Sequence, residues 1–297
     1  MTPTDDVARK GTGWPRLIWA GIVFAIAGLC CDAGGCSARP RLNQEFFKYH
    51  DVVDRTPAEV GLVYENLAIP VASRTLQGWY VPATGPGRHD AAVLIFHGVG
   101  GTIADWVPML QYLSSHGIAA MVFDYSAYGN STGEREYSNL PKDGAAALAL
   151  FCRKTGPGVR RYVLGESMGA GVALESVNGA DSSLDGLVLI AAWRSWRGWL
   201  SDTGRVSCWL TWILPDVFNN EALLERTTKP VLIVHGAVDE LMPVAGAQRL
   251  YRAAGSRAQL RIVPGLGHEI PMKGQIDDYW QPIIQFMARN QTTRPAP

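Results

Sequence analysis

The sequence predicts an α/β domain, with a mostly parallel sheet covered by helices on both faces. Two observations carry the prediction. Apolar runs such as Ala91–Phe96 (A-A-V-L-I-F) and Pro230–His235 (P-V-L-I-V-H) are continuous, as in strands buried on both faces. They alternate with longer segments of helical pattern, and strand–helix alternation of this length builds parallel sheets. Size agrees: 297 residues, 47% apolar and 18% charged, provide ample core for one large domain or two small ones.

Taken in order, Gly61–Val71 and Leu76–Pro82 read as two strands joined by a turn. The buried run Ala91–Phe96 ends at His97-Gly98-Val99-Gly100-Gly101, and Asp105–Ser115 follows as an amphipathic helix. Ala119–Tyr125 is the next buried strand. Ser126–Asn139, rich in Gly, Ser and Asn, is loop, and Leu140–Thr155 is helix. A strand at Arg161–Leu164, a helix starting at Met168 and a strand at Leu184–Ala191 come next. Residues 193–226 break the alternation, which resumes with the strand Pro230–His235, helix Val244–Ala254, strand Leu260–Val263 and closing helix Ile276–Asn290.

Ahead of this body, residues 1–16 carry Arg9, Lys10 and Arg16, and Leu17–Cys31 is an uncharged apolar run of 15 residues. A small-residue patch around Asp32-Ala33-Gly34-Gly35-Cys36 follows. Basic leader, short apolar run and small residues describe an export signal. The run is shorter than the roughly 20 apolar residues of a membrane-spanning helix, a length it could reach by using its flanks. Residues 1–40 are therefore read as a signal that is cleaved or lipid-modified at Cys36, or else kept as an anchor. Either way the body is expected to be exported, to a periplasmic or extracellular place, with membrane association through residues 1–40. Residues 41–59 form a linker and 60–297 the domain.

Charge narrows the partners. Twenty-seven basic and 27 acidic residues cancel, so nothing points to nucleic acid. Cys152 and Cys208, the two body cysteines, are read as small buried side chains rather than a disulfide. No Cys/His group has zinc spacing and no Walker or dinucleotide fingerprint occurs, so neither metal nor organic cofactor is expected. The expected partner is a small-molecule or acylated substrate.

The chemistry centres on Gly165-Glu166-Ser167-Met168-Gly169, between an apolar strand and a helix start. G-x-S-x-G in that setting is a nucleophile elbow: serine sits on a sharp turn and the flanking glycines let strand and helix pass closely. The helix end aims free N–H groups at the place where an oxyanion would develop. A serine hydroxyl needs a base, and the base needs an orienting carboxylate. His268 follows the last strand in Pro264-Gly265-Leu266-Gly267-His268. Asp239 follows the strand at Val231–His235 in His235-Gly236-Ala237-Val238-Asp239. His97, Ser167, Asp239 and His268 all fall just past strand ends, where ligands bind in such sheets.

The order Ser167, Asp239, His268 is that of α/β-hydrolases. From about residue 60 onward the chain resembles that superfamily. Its nearest branch resembles serine aminopeptidases and palmitoyl-protein hydrolases. The resemblance is carried by F-H-G-V-G-G at 96–101, D-Y-S-A-Y-G-N-S-T-G at 124–133, G-E-S-M-G at 165–169, H-G-A-V-D at 235–239 and G-H at 267–268. It implies an α/β-hydrolase fold, Ser167 as nucleophile, His268 as general base then acid, and Asp239 as its orienting group. It also implies an oxyanion hole from the backbone N–H groups of Val99 and Met168. His97 is expected to hold the oxyanion loop, Glu166 to point away from the base without a catalytic role, and residues 124–133 to shape the site wall. His235 is expected to be strand-end packing and Asp143 a helix-surface or helix-contact residue.

Between the strands, residues 193–226 form a short cap with five tryptophans: Trp193, Trp196, Trp199, Trp209 and Trp212. These rings either line an apolar acyl pocket or membrane-facing surface, or fill the gap between cap and sheet. The leading expectation is a serine hydrolase acting on carboxylic esters or thioesters with an apolar acyl part. Peptidase or amidase activity is the alternative, and a non-catalytic binding module of the same fold is a third.

Overall fold

A computed structural model describes residues 52–84, 90–177, 183–213, 216–272 and 277–289. Residues 1–40, expected to be an export signal or anchor, lie outside the described residues. Eight strands form one sheet: β1 Glu65–Val71, β2 Arg74–Val81, β3 Ala91–Phe96, β4 Ile118–Phe123, β5 Arg160–Glu166, β6 Gly186–Ile190, β7 Val231–Gly236 and β8 Ala258–Val263. Their spatial order is β1-β2-β4-β3-β5-β6-β7-β8. β1–β2 and β2–β4 pair antiparallel, and every pairing from β4 through β8 is parallel. The strands β3, β4, β6 and β7 are buried at every residue, as the continuous apolar runs require of strands covered on both faces.

Among the described residues the helices are α1 Val107–Ser115, α2 Leu140–Thr155, α3 Met168–Val177, α4 Trp196–Asp202, α5 Asn220–Arg226, α6 Val244–Ala254 and α7 Asp277–Arg289. On one face, Leu94, Phe96, Val163 and Ile233 pack with Phe151 of α2, Leu174 of α3 and Leu250 of α6. On the other, Val93, Ile95, Leu164 and Val188 pack with Met109 and Leu110 of α1 and with Trp280 and Ile283 of α7. The alternating side chains of each strand thus feed two separate cores.

Several boundaries differ from expectation: β4 ends at Phe123 rather than Tyr125, β6 spans Gly186–Ile190 rather than Leu184–Ala191, and β8 begins at Ala258 rather than Leu260. Two further ones share a reason. The first strand begins at Glu65, not Gly61, because Pro57–Val60 close a 3-10 turn ending in Gly61 at φ 74°. The Glu59 carboxylate accepts the Thr56 N–H there. Likewise Ile103–Trp106 form a 3-10 turn before α1. Thr102 and Asp105 cap each other: the Thr102 N–H donates to Asp105 at 2.9 Å, and the Thr102 hydroxyl accepts the Ala104 N–H. Reciprocal caps satisfy the free N–H groups of a helix start, and a 3-10 turn closes where they sit.

Cys152 is a free thiol. Asp143 is a buried helix-contact residue, the second of the two expected placements, and not a helix-surface one. It accepts bonds from Arg74 at 3.0 Å and from the Ser126 N–H at 2.9 Å, tying α2 to β2 and to the loop after β4.

Candidate active site

Ser167 sits between β5 and α3 with φ 52°, a left-handed conformation that costs a non-glycine residue on the order of 1–3 kcal/mol. Its N–H donates to Ile190 O at 2.8 Å, so the neighbouring strand β6 helps to hold the strained corner. The glycines on either side have a steric reason. A side chain on Gly165 would overlap the backbone of Ala170, and one on Gly169 would overlap the Phe96 and His97 carbonyls. The corner therefore nests against the end of β3.

Asp239 is held at the end of a tight loop after β7. Its Oδ1 accepts the N–H groups of Leu241 at 2.9 Å and Met242 at 2.7 Å. That leaves Oδ2 for the Nδ1–H of His268, at 2.9 Å. With Nδ1 donating, Nε2 of His268 is the acceptor, and the Ser167 hydroxyl lies 3.1 Å from it. The serine is 4% exposed and the imidazole about a fifth exposed, so the line of three groups runs from the interior to a reachable edge.

The electrostatics follow from that chain of bonds. Burial works against a charged Asp239. The bonds from His268 and Met242, with the charges of His268 and His235, outweigh it and hold the carboxyl below its ordinary value. Burial also works against a charged His268. The hydrogen bond and charge of Asp239, then Glu166 and Glu269, overcome this and raise its pKa. His235 goes the other way: burial lowers its pKa, although its Nε2–H donates to Met242 O at 2.7 Å. That bond closes the loop presenting Asp239, so His235 does more than pack a strand end.

The loop after β3 is pinned on several sides. The Nδ1–H of His97 donates to Gly98 O at 2.7 Å, and the ring is buried. Tyr125 OH donates to His97 O at 3.0 Å and Tyr128 OH to Val99 O at 3.4 Å. Asp124, fully buried, accepts the Ile103 N–H at 2.9 Å. Among the described residues no acceptor meets the Val99 N–H, and the Met168 N–H, in the first turn of α3, has no acceptor one turn back. The expected loop-holding part of His97 matches its contacts. The two tyrosine clamps lie in the D-Y-S-A-Y stretch that carried the resemblance, but nothing in their spacing disclosed which carbonyls they would reach.

Glu166 does not bond the base, as expected, yet it does not face away from the site. Its carboxylate lies against Gly98, and its charge is felt at His268.

In the cap, Trp193 contacts Trp196, Trp199 and Phe218, with ring centroids 6.1–6.4 Å apart, and Trp196 and Trp199 lie 4.8 Å apart. Trp199 Nε1–H donates to Leu241 O at 2.8 Å, joining the cap to the loop of Asp239. Trp209 is 69% exposed.

Comparison with known proteins places this fold among relatives. The model of the family described as serine aminopeptidase, S33, matches residues 87–224 and 214–273. The uncharacterized protein YfhR of Escherichia coli strain K12 is 24% identical over 254 residues, covering 84% of this chain and 88% of YfhR. Among solved structures, the esterase Pf2001 of Pyrococcus furiosus superposes with a TM-score of 0.64 at 20% identity, over 80% of this chain and 96% of its own. A soluble variant of the monoglyceride lipase of Saccharomyces cerevisiae, in complex with a substrate analog, gives 0.63 at 17% identity, over 82% and 99%. At such identities the two structures share the fold.

Proposed function

The chain belongs to the serine aminopeptidase S33 family of α/β-hydrolases, and from that premise we propose a serine hydrolase that cleaves carboxylic esters or thioesters with an apolar acyl group. The observation carrying this reading is the unbroken line from Asp239 through His268 to the Ser167 hydroxyl, at 2.9 and 3.1 Å. A hydroxyl in that position is within the reach a general base needs.

His268 Nε2 takes the hydroxyl proton as Ser167 Oγ bonds the substrate carbonyl carbon, and the carbonyl oxygen becomes an oxyanion. The N–H groups of Val99 and Met168 receive that charge, helped by the positive end of α3. Asp239, bonded to Nδ1, stabilises the imidazolium. Collapse of the intermediate breaks the bond to the alcohol or thiol, which leaves with the proton from Nε2. Water then attacks the acyl-enzyme, gives a proton to Nε2, and the acid departs as Ser167 recovers its hydrogen.

Support for an apolar acyl part comes from the aromatic cluster of Trp193, Trp196, Trp199 and Phe218, which is bonded to the Asp239 loop through Trp199. The family description favours a second reading, cleavage of aminoacyl amides by the same groups, with His268 protonating the leaving amine. The basic leader and the apolar run Leu17–Cys31 support an exported body. N-terminal sequencing of the mature protein tests that, since a residue-1 start means an anchor.

The central test is a fluorophosphonate probe. Wild type is expected to be labelled and Ser167→Ala not; a folded wild type that resists labelling overturns the enzyme reading. Rates on p-nitrophenyl esters of increasing chain length against aminoacyl anilides then decide the bond cleaved. Preference for the anilides overturns the ester assignment.

A further inference from the structure

Glu166 stands beside Ser167 at the end of β5, and its carboxylate is turned toward the loop after β3. It lies against Gly98, where an added side chain would overlap its Oε2, and the Gly98 N–H favours its charged form. Ionisable groups of several elements act on it or feel its charge: His268 and His97 from two loops, Asp105 from the turn before α1, Tyr125 from the loop after β4, and Tyr279 from α7. The triad of Ser167, His268 and Asp239 does not use this carboxylate.

We infer that Glu166 is a positioning residue for acyl transfer, acting on the oxyanion loop through Gly98 and on the base through its charge. The inference rests on the hydrolase reading above. Its first part is a matter of which donors remain. His97 Nδ1–H fills the Gly98 carbonyl, Tyr125 and Tyr128 fill the carbonyls of His97 and Val99, and the Glu166 carboxylate lies against Gly98. Val99 N–H, which meets no acceptor among the described residues, is then left open in a backbone fixed from both sides. Gly169 touches the same segment at the carbonyls of Phe96 and His97, which keeps the loop beside the first turn of α3. A loop anchored this way needs little reorganisation when the oxyanion forms, the condition under which such donors are most effective.

The second part concerns the imidazolium. Asp239, Glu166 and Glu269 all favour the charged form of His268, whereas His235 disfavours its own charging next to it. The pKa of Glu166 is itself raised, because burial outweighs the groups that favour its charge. Burial pushes its pKa up; His268, the Gly98 N–H and His97 pull it down, and Asp105 pushes it up again. While ionised, it shares the stabilisation of the proton that His268 carries between steps.

Hydrolysis of p-nitrophenyl butyrate against pH by wild type, Glu166→Gln and Glu166→Ala tests both parts. Glutamine keeps an acceptor for Gly98 but removes the charge. Its acidic limb of kcat/KM is expected to move to lower pH by on the order of half a unit. Alanine loses both, so the same shift is expected with a further drop in kcat of about ten- to a hundredfold and little change in KM. A limb in the glutamine variant that coincides with wild type, or equal kcat in the two variants, overturns the inference. Should a thermal melt show that Glu166→Gln is unfolded, Glu166→Asp decides, since it keeps the charge but falls short of Gly98. There the limb stays and kcat falls; an unchanged kcat overturns the role. A wild type inert to both ester and fluorophosphonate defeats the hydrolase reading instead, and is distinguishable because it needs no variant.

Discussion

His268 Nδ1 lies 2.9 Å from Asp239 Oδ2, while the other carboxylate oxygen, Oδ1, is occupied by two backbone N–H groups of its own loop. The carboxylate therefore cannot swing away from the imidazole without breaking three bonds. Asp239→Asn keeps the shape but can place an NH₂ group against Nδ1 and turn the ring to the wrong tautomer. We expect kcat to fall about 10³–10⁴-fold, with KM nearly unchanged.

The pH profile carries a sign. The raised pKa of His268 means the imidazole holds its proton to a higher pH than a free histidine, whose value is 6.5. The base must be neutral to accept from Ser167, so activity is lost as pH falls through the raised pKa. The acidic limb of kcat/KM is expected above pH 6.5, and in residual activity of Asp239→Asn it moves down, because an anion favouring the imidazolium is gone. A limb that moves up in that variant contradicts the assignment.

Strain at Ser167 is measurable apart from chemistry. Ser167→Ala and Ser167→Gly both lose activity, at least about a thousandfold. At φ 52° alanine keeps the left-handed penalty and glycine does not. Greater freedom of glycine in the unfolded chain returns part of the difference. Urea unfolding should place the glycine variant above the alanine variant by a few tenths to about 1 kcal/mol.

Gly169→Ala puts a methyl group into the carbonyls of Phe96 and His97, which are backbone and cannot rotate aside. A loss of about 1–3 kcal/mol is expected in urea unfolding. The displaced loop also carries Val99, so fluorophosphonate labelling slows together with ester hydrolysis.

Tyr125→Phe removes the hydroxyl that donates to His97 O in a fully buried setting. The orphaned carbonyl costs about 1–3 kcal/mol. Thermal melting reports that loss, and a kcat that drops more than KM rises ties the clamp to the oxyanion loop rather than to substrate binding.

Much of this was legible because it is local. Ala91–Phe96, Leu140–Thr155 and Val244–Ala254 begin and end where their patterns say, since continuous apolar runs and 3.6-residue periodicity depend on neighbours in the chain. Ser167, Asp239 and His268 were readable because each follows a strand end in a recognisable short motif. The boundaries at Gly61 and Asp105 were missed because side-chain caps three residues away outweighed the apolar pattern. The direction of Glu166 was missed for a different reason. Strand alternation sends it to the face opposite Gly165, but what waits there is a loop and a helix from elsewhere in the chain. The five tryptophans announced an aromatic cap without saying which rings would stack together and which, like Trp209, would face solvent.

The sequence by itself determined the strand–helix alternation, the elbow with its two glycines, and the three side chains expected to meet. These follow from backbone sterics and periodicity, which act over a few residues. Only the tertiary structure decided that Tyr125, Tyr128 and Glu166 close around Gly98 and Val99, and that Trp199 ties the cap to the loop of Asp239. Such contacts join residues dozens of positions apart. They are selected by the packing of loops over the sheet edge, where each buried polar group must find whatever partner the fold has brought within reach.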